Sequence, residues 1–323
     1  MTQDEQDLAR HELLLRFAPM LPDEVIWQAR RWLAAGRWSH AVRLIAQVFR
    51  EWDEPLPPEA REIMADGVDE DVAKVVGSLE DAVDVSVLAW DFHGADDELS
   101  ETYAAVVRDY LESQPGTHTA WQAWRTSENG PEDVARVMHL VETAGGLKPH
   151  VIAAELADRL WDAGLVSPQV EVFRSASPLD PYYHAPALVQ GREIFGVGPQ
   201  PTIELARFDE ENEEREPAGP ERNSQITYLN SGEPLTEEDD LVPDLLTDSE
   251  DPVVPVTLRT DGTWIWSDLT TFYLEKHGIA LPPGLRAHIA ESGPEARTPT
   301  RREWVAMVHM ENAESELATE TTE

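Results

Sequence analysis

Four side chains with acid-base or metal-binding chemistry lie close together in the C-terminal part of the sequence. His277 and His288 fall in two neighbouring predicted helices. Asp261 and Asp268 precede them, and convergence of imidazoles with carboxylates could bind an ion such as Zn²⁺. However, His277 falls in the last turn of its helix, where it also complements the helix dipole. Since no H-E-x-x-H motif is present, we expect neither a metal nor another cofactor.

A second possible chemistry is phosphate binding at Gly145-Gly146. These glycines follow a possible strand and precede a predicted helix, a position where backbone N–H groups can bind a phosphate. The sequence has no Gly-rich phosphate loop, no G-x-S-x-G motif and no S-x-x-K motif. It has no Cys, which excludes Cys-ligated zinc and thiol nucleophiles. An enzyme or binding domain for a phosphate-bearing small molecule is therefore the alternative function, and no catalytic residue is assigned.

An aromatic patch is the stronger candidate for function. Trp264 and Trp266 are two residues apart in a predicted strand, so both indoles lie on one face. They either fill the core under the next helix or form a recognition surface. We expect Trp264 to be core and Trp266, next to the capping Ser267, to be partly exposed. The candidate binding residues are these two tryptophans and the acidic and aromatic residues that could join them, namely Asp261, Asp268, Tyr182 and Tyr183.

The segment from Asp251 to Ala290 positions the tryptophans. Alternating Val254, Val256 and Leu258 predict a strand, and the pair Asp261-Gly262 predicts the tight turn of a β-hairpin that returns through Trp264. Ser267 is then a predicted helix N-cap, and Gly278 a predicted C-cap. Further helices are predicted from Pro282-Pro283 and from the capping box at residues 300–303.

The segment DGTWIWSDLTTFYLEKHG, residues 261–278, resembles a module of uncharacterised acidic actinobacterial proteins. That module has the pattern D-G-x-W-x-W-[ST]-[DE], followed by an aromatic helix and H-G. The resemblance extends to residues 21–36 and 166–175, about a third of the chain. Those proteins are similar to companion or immunity proteins of secreted toxins, so the resemblance implies a protein-binding role. This chain departs from the pattern in its long acidic insert.

The region before the insert combines helices with a small α/β layer. Helices are predicted from Pro22, Ser39 and Pro57, whereas residues 83–92 fit either a strand or a buried helix. Residues 134–143 are likewise read as an amphipathic helix or a strand. The helix Pro149–Ala163 and the strand Gln169–Phe173 after it favour a crossover between parallel strands. The resemblance also implies that residues 134–143 and 169–173 are strands of one sheet.

The predicted fold class is α+β and mostly helical. It has an N-terminal helical unit, a small α/β layer, a disordered acidic linker and a C-terminal β-hairpin with helices. Residues 208–252 hold 16 Asp and Glu against two Arg, a composition typical of a disordered segment. Its Leu241, Val242, Leu245 and Leu246 could fold against a partner. The predicted domains are residues 1–207, the linker 208–252, a module at 253–310 and a disordered tail at 311–323.

Charge restricts the choice of partner. The chain of 323 residues has a formal net charge of −38, which argues against nucleic acid and against anionic membranes. The acidic first ten residues do not resemble a signal peptide, and no apolar run is long enough to cross a membrane. We therefore predict a non-enzymatic cytoplasmic protein that binds a basic protein partner, as immunity proteins and chaperones do.

Overall fold

The structure is a computed structural model that describes residues 2–82, 89–116, 118–127, 135–144, 146–208, 214–235, 240–247 and 251–320; for residue 58 and residues 311–320 it describes the backbone alone. The chain divides into two compact units, Met1–Gly198 and Pro199–Glu323. The predicted α+β class with mostly helical content is confirmed. The first unit ends earlier than the predicted boundary at residue 207, because the strand Glu204–Ala206 pairs within the second unit.

The first unit contains the predicted N-terminal helices and a five-stranded sheet. The helices are α1 (Gln3–Phe17), α2 (Asp23–Ala34), α3 (Trp38–Trp52), α4 (Pro58–Ala65), α5 (Glu70–Gly77), α6 (Glu98–Ser113), α7 (Pro149–Asp162) and α8 (His184–Gln190). The strands are β1 (Trp90–Gly94), β2 (His118–Ser127), β3 (Arg136–Thr143), β4 (Gln169–Phe173) and β5 (Arg192–Gly196). Of the ambiguous residues 83–92, residues 83–88 lie outside the described residues, and β1 shows that the segment ends in a strand.

The sheet of the first unit has the order β1-β2-β3-β4. β5 pairs with the first half of β2 and β1 with its second half, so these two short strands share one edge of β2. β3 and β4 are parallel, with Leu140 opposite Glu171, and α7 connects them. The predicted crossover is therefore correct, and residues 136–143 are strand. Val134 lies outside the described residues.

The two faces of this sheet differ in chemistry. Val137, Val141 and Val172 project from one face into an apolar core with α6 and α7, whose buried residues recur at helical spacing. Register places Arg125 and Glu171 on the opposite face, and both are buried. The small α/β layer thus has one ordinary apolar interface and one charged interface.

The second unit contains four helices and six short strands in its described part. The helices are α9 (Pro220–Asn230), α10 (Asp268–His277), α11 (Pro283–Glu291) and α12 (Arg301–Glu320). The strands are β6 (Glu204–Ala206), β7 (Glu233–Pro234), β8 (Leu241–Pro243), β9 (Pro252–Pro255), β10 (Leu258–Thr260) and β11 (Trp264–Ser267). None of the helices in the described residues of either unit combines the length and the apolar composition of a membrane span.

The predicted hairpin is present as β10 and β11, with Thr260 opposite Ile265. It forms the centre of a sheet with the order β6-β11-β10-β7, in which β6 runs parallel to β11. The Ser267 hydroxyl accepts a hydrogen bond at the start of α10, and Gly278 ends that helix with φ 69°, as predicted. Val254 differs from the prediction, because β9 is a separate strand that pairs with β8.

The prediction of a disordered linker is wrong for residues 220–230, which form α9. Pro220 occupies the first turn, where its missing N–H is not needed, and Tyr228 and Leu229 are buried in the core of the second unit. The high acidic content concealed this helix, because its apolar residues are few and cluster at one end. Residues 209–213, 236–239 and 248–250 of the predicted linker lie outside the described residues.

The final helix begins as the sequence predicts. Thr300 and Glu303 form a reciprocal capping box, with backbone N–H to side-chain oxygen distances of 2.8 and 3.2 Å. Val305 and Met307 are buried. The side chains of residues 311–320 and all of residues 321–323 lie outside the described residues, so the disordered tail at 311–323 stays a prediction.

Candidate functional site

Asp261 is the centre of a hydrogen-bonded network in the second unit. The turn of the hairpin aims its carboxylate inward, where Oδ1 accepts hydrogen bonds from the backbone N–H groups of Thr263 and Trp264, both at 2.8 Å. Oδ2 accepts one from the Tyr228 hydroxyl at 2.6 Å and lies 2.5 Å from Nε2 of His288. Of the convergences that the sequence left open, that of His288 with Asp261 is present, and α9 supplies a tyrosine that was not foreseen.

The environment of this network fixes the charge of Asp261. Burial acts to raise the pKa of Asp261, but the hydrogen bonds from Tyr228, the turn backbone and His288 outweigh it, so the pKa is lowered overall. Burial, together with the hydrogen bond to Asp261, raises the pKa of Tyr228 to about 12. Asp261 is consequently an ionised acceptor and Tyr228 a neutral donor at neutral pH.

The network does not have the geometry of a catalytic triad. In such a triad the serine and the carboxylate contact opposite nitrogens of the histidine ring. Here Ser292 and Asp261 both face Nε2 of His288, with Oγ of Ser292 at 3.4 Å. The Ser292 hydroxyl donates instead to the backbone oxygen of His288 at 2.8 Å. The arrangement therefore tethers the hairpin to α9 and α11 rather than activating a nucleophile.

We predict that the Asp261 network contributes stability only above acidic pH. The pKa of Asp261 is lowered on folding, so this contribution is present above its ordinary value of 3.8 and is lost as the pH falls through the folded value. Asp261→Asn should therefore be less stable than the wild type at neutral pH, and the difference should shrink on acidification. Urea unfolding from neutral pH to about pH 3 measures this.

Glu291→Gln is the matched control, since Glu291 is exposed in the same unit. Its stability difference from the wild type should stay small and vary little with pH. A deficit of Asp261→Asn that remains constant down to the lowest pH would contradict an ionised Asp261 as the stabilising group.

The burial of the two tryptophans is the opposite of the prediction, because Trp266 and not Trp264 is the core residue. Trp266 is fully buried, its ring lies 6.1 Å from that of Tyr228, and its indole N–H donates to the backbone oxygen of Leu229 at 3.1 Å. Trp264 is only partly buried, against α11. The prediction failed because α9, which covers Trp266, had been assigned to the linker. Trp266 therefore cannot belong to an exposed aromatic patch.

Two other candidate residues of the second unit, Asp268 and His277, have local hydrogen-bond partners. Asp268 accepts a hydrogen bond from Arg259 Nε at 2.6 Å. His277 lies 2.8 Å from Oδ2 of Asp244, so it converges with neither Asp261 nor Asp268. Within the described residues, no group of three or more His, Asp and Glu side chains is placed to hold a metal ion.

Tyr182 and Tyr183 lie in the first unit and differ in exposure. Tyr182 is 71% exposed. Tyr183 is fully buried, its hydroxyl accepts a hydrogen bond from Arg125, and burial raises its pKa. Tyr183 is therefore not available for binding, whereas Tyr182 is accessible.

A buried layer of charged residues in the first unit was missed by the sequence analysis. Arg30 of α2 binds Glu171 of β4 through both carboxylate oxygens, and Arg125 of β2 binds Asp23 at the start of α2. All four side chains are at least nine-tenths buried. Each cation faces a carboxylate, so the layer carries compensated charge between α2 and the sheet. In the sequence, the signal for this layer was the alternation of Gln169 and Glu171 with valines in β4.

The electrostatics of this layer favour a fixed charge state. Burial acts to raise the pKa of Glu171, but Arg30 and His184 lower it overall to about 2. Burial lowers the pKa of His11 to about 3, and it also lowers to about 3 the pKa of His139, which lies on the opposite face of the sheet between Val137 and Val141, so both rings are neutral at physiological pH. Glu171 is therefore ionised at neutral pH, and it serves as the buried partner of Arg30.

The predicted phosphate position is described only in part. Gly145 lies outside the described residues. Gly146 has a φ of 91°, and no atom lies within 4 Å of the position that a Cβ would take there. This geometry identifies a turn before α7.

An open apolar groove lies beside Tyr182 in the first unit. It has a volume of about 290 Å³, and Arg16, Glu59 and Asp180 supply its charged groups. The end of α1, the start of α4 and the loop before α8 supply its apolar lining, which consists of Pro19, Met20, Pro57, Pro178, Leu179 and Pro181. We call this cavity the proline groove. No pattern in the sequence predicted this groove.

Comparisons with known proteins do not add a function to this geometry. No protein-family model, no curated protein and no solved structure matches the chain.

Proposed function

We propose that the protein is a non-enzymatic cytoplasmic protein that binds a basic protein partner, in the manner of an immunity protein or a chaperone. It engages that partner mainly through surplus carboxylates on its surface. Nucleic acids and anionic membranes are poor partners for such a surface, because the chain carries 63 Asp and Glu against 25 Lys and Arg.

The observation that carries this proposal is that most Lys and Arg side chains of the first unit are already paired with its own carboxylates. The first unit has 16 Lys and Arg, and at least 13 of them lie in ion pairs with Asp or Glu among the described residues of the same unit. That unit contains 35 Asp and Glu, far more than these cations can neutralise. The charge available to a partner is therefore negative, and complementary charge steers and orients association.

The second unit has the same imbalance in a shorter stretch of chain. It contains 28 Asp and Glu against nine Lys and Arg. At least three of its cations lie in ion pairs with described carboxylates of the same unit: Arg259 with Asp268, Arg286 with Glu214 and Glu216, and Arg297 with Glu303. Both units therefore favour a cationic partner.

A retention experiment at two salt concentrations tests this function. The immobilised full chain should retain a basic protein in stoichiometric amount at about 0.1 M salt and release it near 1 M, where the Debye length falls from about 10 Å to about 3 Å. A polyglutamate resin serves as the control for charge alone. Retention of no stoichiometric protein, or of the same proteins as on polyglutamate, would contradict the proposal.

A further inference from the structure

The size of the proline groove limits what can occupy it. Its volume of about 290 Å³ is at the lower limit of small-molecule sites, which measure about 300 to 1,000 Å³. Six of its nine lining residues are apolar, and four of these are prolines. A cavity of this size and composition suits one bulky apolar side chain, as in the central pocket of a protein interface.

The walls of the groove are held in place before any partner arrives. Proline fixes φ, and Pro19 and Pro57 are buried. The loop before α8 is tied by the Ser177 hydroxyl to Glu12 at 3.0 Å, and by the Tyr182 N–H to Oδ1 of Asp180 at 2.8 Å. Little conformational entropy is therefore lost when the groove is filled, which favours binding.

The charged groups at the groove select for a basic occupant. Arg16 is bound to Glu59 at 2.8 Å, so these two charges compensate each other. Asp180 leaves the rim with a net negative charge. Tyr182 follows the last lining residue in sequence and is 71% exposed, so its ring face is accessible to an Arg or Lys side chain.

We propose that the proline groove binds one bulky apolar side chain from a basic segment of the partner protein, while Asp180 and Tyr182 contact the flanking Lys or Arg. This inference rests on the proposed function and names the surface that performs it. The apolar side chain supplies the anchor, and the carboxylate and the aromatic ring select the cationic neighbours.

A phage-displayed library of random dodecapeptides, selected on the full chain, tests the assignment. The enriched peptides should carry one bulky apolar residue flanked by Lys or Arg. Their synthetic counterparts should bind Leu179→Asn at least about tenfold more weakly than the wild type, because an amide replaces an apolar wall. Val166→Asn is the matched control, since Val166 lies outside the groove and is 70% exposed. The affinity of this variant for the same peptides should stay within about twofold of that of the wild type.

Two further variants separate charge from packing. Asp180→Asn keeps an oxygen for the Tyr182 N–H but removes the rim charge. It should therefore lower the affinity for the basic peptides at low salt and have less effect on it at high salt. Asp162→Asn, at the exposed end of α7, is its control and should change little. Because Asp180→Asn preserves the backbone hydrogen bond, it remains informative if Leu179→Asn does not fold.

The outcomes distinguish the groove from the function. Basic peptides that bind Leu179→Asn and Asp180→Asn as well as the wild type would overturn the groove assignment and leave the basic partner standing. Enriched peptides that depend on Leu179 but carry no Lys or Arg would refute the basic partner. Failure to enrich any peptide would overturn the groove as a peptide site, while the retention experiment would still decide the proposed function.

Discussion

Trp266→Ala is expected to lower the free energy of unfolding of the second unit by about 3 to 5 kcal/mol, because the fully buried indole leaves a large cavity between β11 and α9. The substitution also leaves the backbone oxygen of Leu229 without the indole N–H that it accepts. Hydrogen exchange of peptides from residues 199–323, combined with urea unfolding of the full chain, measures the loss. Trp264→Ala should cost less, about 1 to 2 kcal/mol, since Trp264 is only partly buried.

A pair of glycine variants tests the same packing from the opposite side. A Cβ at Gly232 would lie 2.3 Å from the Trp266 ring, whereas a Cβ at Gly219 would have no atom within 4 Å. Gly232→Ala should therefore destabilise the unit by about 1 to 3 kcal/mol through overpacking, and Gly219→Ala should have little effect. Equal losses for Trp264→Ala and Trp266→Ala, or for the two glycine variants, would show that α9 does not pack on Trp266 in solution.

Glu171→Leu is expected to destabilise the first unit by about 3 to 5 kcal/mol, because Arg30 would keep its charge in the interior without a partner. Arg30→Met combined with Glu171→Leu should recover most of that loss, since an apolar pair of similar volume removes both buried charges. Urea unfolding of the single and double variants measures the coupling between the two positions.

The neighbouring surface ion pair is the control for this prediction. Arg31 follows Arg30 in α2 and pairs with Asp158 at 2.8 Å, but both side chains are about half exposed. Asp158→Ala should change stability by no more than about 1 kcal/mol. A double variant that is as unstable as Glu171→Leu alone would show that the layer does more than compensate charge.

The sequence predicted the elements whose signals are local. The hairpin at Asp261-Gly262, the N-cap Ser267 and the C-cap Gly278 all depend on neighbouring residues, and the structure has them where they were expected. The crossover from β3 through α7 to β4 was also found, because a helix of that length between two strands has few alternative arrangements.

The sequence did not reveal features that depend on distant partners. α9 has few apolar residues, and the burial of Trp266 follows from α9. The charged layer was missed for a similar reason, since Arg30 and Glu171 are distant in sequence and a lone charged residue usually predicts a solvent-exposed position. Of the predicted aromatic patch, Trp266 and Tyr183 are therefore interior, whereas Tyr182 is exposed and follows the last lining residue of the proline groove in sequence.

The parallel pairing of β6 with β11 has a consequence for the order of synthesis. β6 and α9 leave the ribosome before the hairpin does, so the surfaces that cover Trp266 are already made when Trp266 emerges. α11, which supplies Leu285 and Ile289 to the same core, follows later. A fragment that starts at residue 253 would therefore contain the hairpin without β6 and α9 and would leave Trp266 uncovered. A fragment that starts at residue 199 would keep β6 and α9, the two elements that cover Trp266.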